Sequence, residues 1–201
     1  RESPKRRRLL GLPAHGNGTF GPVVDIYCVD FTHHAKSAYS AWFTKLDNTT
    51  PLTKTRSTDL VSYLKAAWLV QKMESFNPVS NATNQSTRAD IHAAIWFMMS
   101  GSPISVKHGT LYDATGLNSW IAQANANYQD GSVNGAEWTV VTDACVATGG
   151  TAGQGFNASD NCSQEFLTKN VVPEPASIAL LLSGLGLAGL SRRRKQAARA
   201  A

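Results

Sequence analysis

The 201-residue chain is short of several things that usually announce an activity. It has no glycine-rich loop of the kind that cradles phosphate and no pair of carboxylates at a catalytic spacing. Its histidines and cysteines follow no standard zinc pattern, so neither a metal nor another cofactor is expected. It has no internal repeat. Its longest uncharged apolar run, Ala176–Leu190, falls below the length of about 20 residues that a stable bilayer span needs. The opening, RESPKRRRLLGLPAHG, has no methionine and lacks the apolar core of about 7–15 residues found in a secretory signal. Residues 1–17 are therefore read as a basic leader, either disordered or a truncated export region.

The formal charge of +5 invites a nucleic-acid reading, but its distribution removes it. Ten of the nineteen basic residues sit at the two ends. Residues 9–191 carry nine basic against thirteen acidic side chains, a net −4. A phosphate-tracking face needs its charge in the folded part, so no nucleic-acid partner is expected. What is present in quantity is apolar: 42% hydrophobic residues support one real core in a chain of this length.

The C-terminus reads VVPEPASIALLLSGLGLAGLSRRRKQAARAA. As a helix, the apolar stretch would span roughly 22 Å, shorter than a bilayer core of about 30 Å, and three glycines weaken it further. Arg192, Arg193, Arg194 and Lys195 follow at once, and basic flanks favour the cytoplasmic side. Pro173 and Pro175 extend the chain just ahead of the segment. In this order, Pro173-Glu174-Pro175, short helix and arginine cluster resemble the PEP-CTERM sorting signal, here assigned to residues 171–201. The resemblance implies a Gram-negative bacterial protein that is exported, held in the inner membrane by a transient C-terminal helix, and processed by an exosortase. It further implies release to the cell surface or an extracellular polysaccharide matrix. An ordinary positive-inside anchor is the plainer alternative.

Export implies an oxidising compartment, where paired cysteines bond. Cys145 and Cys162 flank a glycine-rich loop and are the expected disulfide. Closing such a loop stabilises a fold by about 3 kcal/mol in the chain-entropy picture. Cys28 is then the odd thiol.

Between the tails, alternation predicts a strand over 18–31, with Val24, Ile26, Cys28 and Asp30 on one face and Val23, Asp25, Tyr27, Val29 and Phe31 on the other. A second strand is expected at 37–46. Apolar spacing predicts helices over 57–75, capped by Ser57 or Thr58, over 86–101, with Thr87 and Asp90 as a capping box, and over 117–129, capped by Asn118. Strands are expected again at 137–145 and 163–170, with loop between 149 and 161. Strands at both ends and helices between them predict an α+β domain over 18–170: a small β-sandwich or sheet with a helical insertion, followed by the C-terminal hydrophobic sorting helix.

Three short motifs, IYCVDF, YLKAAWLV and IHAAIWFM, occur in an order similar to that of the thioester domains of bacterial surface adhesins. In that family an early strand supplies Cys after an aromatic residue. A later helix supplies Gln four residues before Trp, and the two condense to an internal thioester. Tyr27 and Cys28 match the first motif and Trp96 the third, but His92 stands where Gln belongs. Imidazole has no acyl carbon, so Cys28 and His92 cannot form that bond; Gln71 and Gln85 lie outside the motif. The candidate pair Cys28–His92 is then either inert or a nucleophilic thiol–imidazole pair, since a nearby histidine lowers a thiol pKa. His33 and His34 point apart and make a poor common metal site. Trp42, Trp68, Trp96, Trp120 and Trp138 offer a sugar platform only if exposed, and Trp68 and Trp96 sit on amphipathic helices. The sequence reading is thus an exported, non-enzymatic surface or matrix protein whose partners are the exosortase, the inner membrane and extracellular polysaccharide. A reactive adhesin or thiol enzyme is the alternative.

Overall fold

A computed structural model describes residues 7–9, 24–76, 81–101, 112–149, 152–156 and 160–169. The chain divides into a body, Arg1–Asn170, and a tail, Val171–Ala201, and every described residue belongs to the body. The sorting segment, with Pro173, Glu174, Pro175 and Arg192 to Arg194, lies outside the described residues.

The body is α+β. Its strands are β1 (Arg7–Leu9), β2 (Val24–Cys28), β3 (Ala41–Lys45), β4 (Trp138–Asp143) and β5 (Phe166–Lys169). They form one antiparallel sheet in the order β1-β2-β5-β4-β3. Of the two expected forms, the described residues make the single sheet and not a sandwich. The helical insertion comprises α1 (Leu60–Glu74), α2 (Ala82–Ser100) and α3 (Ala114–Asn127), between β3 and β4. Arg7–Leu9, inside the segment read as a leader, pairs with β2.

Register decides which side chains meet the helices. Tyr27, Leu167 and Val140 lie side by side across β2, β5 and β4 and join the helical core. Their neighbours Cys28, Phe166 and Val141 point the other way, into a smaller cluster with Ile26, Ala35, Tyr39 and Ala41. The alternation read in β2 therefore holds. α1 packs on both α2 and α3. Its most deeply buried positions include Tyr63, Ala66, Ala67, Leu69 and Val70, while Val61 is exposed and Leu60 and Leu64 are half-buried. Trp68 and Met73 are buried as well, because a helix with neighbours on several sides buries more than one stripe. Ile91, Ala94 and Ile95 of α2 are fully buried. Each of the two isoleucines removed from water contributes about 1.5–3 kcal/mol.

The helix starts differ from the sequence reading. Asp59 caps α1 by accepting from Val61 N, Asn81 caps α2 through Thr83 N, and Asp113 caps α3 through Thr115 N and Gly116 N. The cap of α1 lies just after the expected Ser57 or Thr58, and those of α2 and α3 lie upstream of the expected Thr87 and Asn118; each meets free N–H groups at the true first turn. Asp90, expected in a capping box, instead accepts from Asp113 N at 2.7 Å and ties α2 to the start of α3. That contact requires Gly116: a Cβ there would sit 2.3 Å from Asp90 Oδ2. Arg88 is buried and donates to Met73 O at 2.6 Å, neutralising the carbonyl end of α1. The strand expected to run to 145 stops at Asp143, whose carboxylate accepts from Cys145 N and starts a short helix, α4 (Ala144–Thr148).

Candidate functional site

Cys28 ends β2, and His92 lies on α2, on the helical side of the sheet. The fold brings these two residues together, but not sulfur to imidazole. His92 Nε2 is 3.0 Å from the carbonyl oxygen of Cys28. The thiol lies on the other sheet face, half-buried, with its sulfur 3.0 Å from the carbonyl of Asp30. The imidazole stacks at 4.3 Å on Trp96, which in turn meets Phe31 at 5.1 Å. Burial pushes the His92 pKa down to about 4 and outweighs the bond to the Cys28 carbonyl, with the Arg88 charge adding to the depression. A neutral imidazole holding a backbone carbonyl fastens a helix to a strand. In this geometry it is not placed to take a proton from the thiol.

The most heavily charged interior lies elsewhere, where the loop after β2, the segment before α1 and the glycine-rich segment before β5 converge. Arg56 is fully buried. Its terminal nitrogens hold Asp160 in a two-pronged pair at 2.9 and 3.1 Å, and Nη2 also donates to Ser163 O at 3.3 Å. Its Nε is 3.0 Å from Asp30 Oδ2 but outside hydrogen-bonding direction, an ion pair without a hydrogen bond. Asp30, also fully buried, accepts from Thr32 N at 2.9 Å and lies 2.8 Å from His33 Nδ1. The other ring nitrogen of His33 faces Asp160 at 3.4 Å. His33 and His34 do point apart: His33 is buried, whereas His34 is exposed and uses its carbonyl to accept from Gln164 N.

Glu165, immediately before β5, completes the cluster. It accepts from Arg56 N at 2.9 Å, Thr142 Oγ1 at 2.6 Å and Tyr63 Oη at 2.6 Å. Burial nevertheless pushes its pKa up to about 7 against those three donors, and the nearby Asp30 charge adds to the rise. The Tyr63 hydroxyl is pushed up by the same burial and by Glu165.

The expected disulfide is present. Cys145 and Cys162 are joined with their Cα atoms 5.7 Å apart. Both ends are stitched into the charged cluster. Cys162 N donates to Asp160 Oδ1 at 2.8 Å, and Asp143 accepts from Cys145 N at 2.9 Å and Ser163 N at 2.7 Å. Gly153 and Gly155, both at positive φ, donate from N to the carbonyls of Thr55 and Arg56 at 2.9 and 2.7 Å. The result is a clasp: a glycine-rich segment folded over a buried guanidinium and closed by a covalent bond.

Sequence reasoning missed Arg56, Tyr63, Asp160 and Glu165 as members of one cluster. Asp30 was read only as a strand position and His33 only as the neighbour of His34. Among the described residues, no group of three or more His, Cys, Asp or Glu side chains is placed to hold a metal ion. Of the tryptophans, Trp68 and Trp138 are buried, Trp96 and Trp120 half-buried, and Trp42 is exposed with Lys54 Nζ 3.2 Å from its ring centre. Five tryptophans therefore do not form one platform. Among the described residues no helix is long and apolar enough to cross a membrane.

Comparison with known proteins bears on the tail. The PEP-CTERM protein-sorting motif matches residues 171–195, including the Pro-Glu-Pro, the apolar stretch and the basic cluster. No curated protein and no solved structure matches the chain. The tail resemblance is thereby supported, whereas the likeness of the body to thioester domains rests on its three short motifs alone. The chain carries a PEP-CTERM sorting motif, which marks it as an exported protein, anchored transiently in the membrane and processed by an exosortase.

Proposed function

We propose that the body is a non-enzymatic interaction module, delivered by its tail to the cell surface or to an extracellular polysaccharide matrix. The observation that carries the delivery is the sorting motif over 171–195. The interaction role draws support from how the polar chemistry of the body is used. The Arg56 guanidinium is matched by carboxylates inside the fold, and His92 is committed to a backbone carbonyl. On this reading Cys28 and His92 are the remains of a thioester-like arrangement whose acyl donor has been replaced. The exposed Trp42 offers the ring face that Lys54 does not cover for stacking on a sugar ring.

The experiment is fractionation of producing cells. The native chain should reach the surface or medium without its tail. A chain with Pro173, Glu174 and Pro175 replaced by Ala should accumulate unprocessed in the inner membrane. Polysaccharide retention of the native chain, reduced by Trp42→Ala with no loss of folding, would support the partner. Processing that is indifferent to the Pro-Glu-Pro change would overturn the sorting role. Retention unchanged in the Trp42 variant would overturn the sugar assignment.

A further inference from the structure

We infer that the clasp is an oxidation-gated latch: it closes over Arg56 when Cys145 and Cys162 form their disulfide and opens locally when they are reduced, while the helical layer stays folded. Three features carry this. The first is placement. The disulfide closes a loop of separation 17, and that loop contains Gly153, Gly155 and Asp160, which fold over the buried guanidinium. The second is linkage at the cysteines. Cys162 N is held by the carboxylate that pairs with Arg56, and Cys145 N shares Asp143 with Ser163 N, so closing the bond and seating the charges position the same backbone. The third is the contrast in material. The latch is held by buried ions, whose desolvation offsets much of their attraction, and by glycines that lose much freedom on ordering. The helical layer is held mainly by apolar packing between α1, α2 and α3, to which the clasp adds the Phe156 side chain.

The redox step balances as thiol–disulfide exchange. Cys145 and Cys162 each lose a proton and together two electrons, and a disulfide-bearing oxidant is reduced to two thiols. Such oxidants act on the exported side of the membrane, and reducing thiol pools act in the cytoplasm. The latch therefore stays open before export and closes after it. Cys28 is not one of the bonded pair and packs half-buried in the smaller apolar cluster.

The test is amide hydrogen exchange on the purified full-length chain, oxidised and then reduced with excess glutathione. Reduction should speed exchange at Gly153, Gly155 and Ser163 by about 100-fold, the size set by closing a loop of this length. Buried amides of α1 and α2 should change by less than about threefold. Unchanged exchange at the glycines would mean that the charges hold the segment without the bond. Uniform acceleration in the helices would mean a global staple. Either result overturns the latch. Because coupling is reciprocal, Asp160→Asn should need an oxidised-to-reduced glutathione ratio about tenfold more oxidising for half-formation of the disulfide. An unchanged ratio would also overturn it. Neither arm depends on sorting, so a failed latch leaves the tail assignment intact.

Discussion

The helical layer and the clasp sit on one sheet and are built from opposite materials. Around α1 and α2 the interior is Ala66, Leu69, Val70, Ile91, Ala94 and Ile95, fully buried and apolar. Around Arg56 it is Asp30, Glu165, Thr142 and Tyr63, buried just as deeply and polar. Apolar packing is non-directional and tolerates small adjustments, losing stability in proportion to the area exposed. A buried ion cluster is directional and unforgiving, because removing one member strands the others without water. One half of the body should therefore yield gradually to substitution and the other abruptly.

Arg56→Met is the harshest way to break that contrast. It leaves the buried Asp30 and the half-buried Asp160 without their cation and should cost about 3–5 kcal/mol in urea unfolding. Ile95→Ala in the helical layer should cost about 2–4 kcal/mol, from lost burial and the cavity left behind. If the regions are as separate as their materials, the double variant should lose the sum within about 0.5 kcal/mol. A larger departure would merge them into one unit.

Gly116→Ala sharpens the helical side. Alanine ordinarily gains up to about 1 kcal/mol over glycine inside a helix. Here the new Cβ would meet Asp90 Oδ2 at 2.3 Å, so the thermal midpoint should fall and the net change should be a loss of about 1–2 kcal/mol.

The pH response separates the two regions by sign. Glu165 has a folded-state pKa of about 7 against an ordinary 4.5, so between these values the folded chain keeps a proton that the unfolded chain has released. Its contribution to stability falls as pH rises through that window. His92 has a folded-state pKa of about 4 against an ordinary 6.5, so there the unfolded chain holds the extra proton. Its contribution falls as pH drops. The windows overlap between 4.5 and 6.5, and there the two slopes, each up to about 1.4 kcal/mol per pH unit, oppose each other. Glu165→Gln should lose stability on acidification through that range, and His92→Gln should lose it on alkalinisation. Urea midpoints measured from pH 4 to 7.5 check both.

The smallest expected effect is none. His92→Gln restores the amide that a thioester needs. Yet position 92 faces the Cys28 carbonyl while the thiol lies across the sheet. Methylamine treatment followed by intact mass should find neither loss of ammonia nor an adduct, in the native chain or the variant. A methylamine-sensitive light species in His92→Gln would restore the reactive-adhesin alternative.

What could be read in the sequence follows from how local each signal is. The helices at 57–75, 86–101 and 117–129 and the strands at 137–145 and 163–170 were legible because their apolar spacing lies within a few turns of chain. Their ends were not, because Asp59, Asn81 and Asp113 compete with nearby Ser, Thr and Asn for the same capping role. α4 hid behind the β-branched run Val140-Val141-Thr142, and only Asp143 signals the break. The disulfide was legible from two cysteines around a glycine-rich loop. The clasp was not: Arg56 meets Asp160 and Glu165 from more than a hundred positions away. Each reads alone as an ordinary loop charge. The Cys28–His92 pair was legible as proximity, but spacing could not say which atom of Cys28 the imidazole meets.

Intact mass of the protein recovered outside the inner membrane of producing cells tests the account most directly. The account predicts a chain lacking the segment beyond Pro173-Glu174-Pro175, whose mass rises on reduction by the two hydrogens of the Cys145–Cys162 bond. A full-length chain with that pair reduced would contradict it.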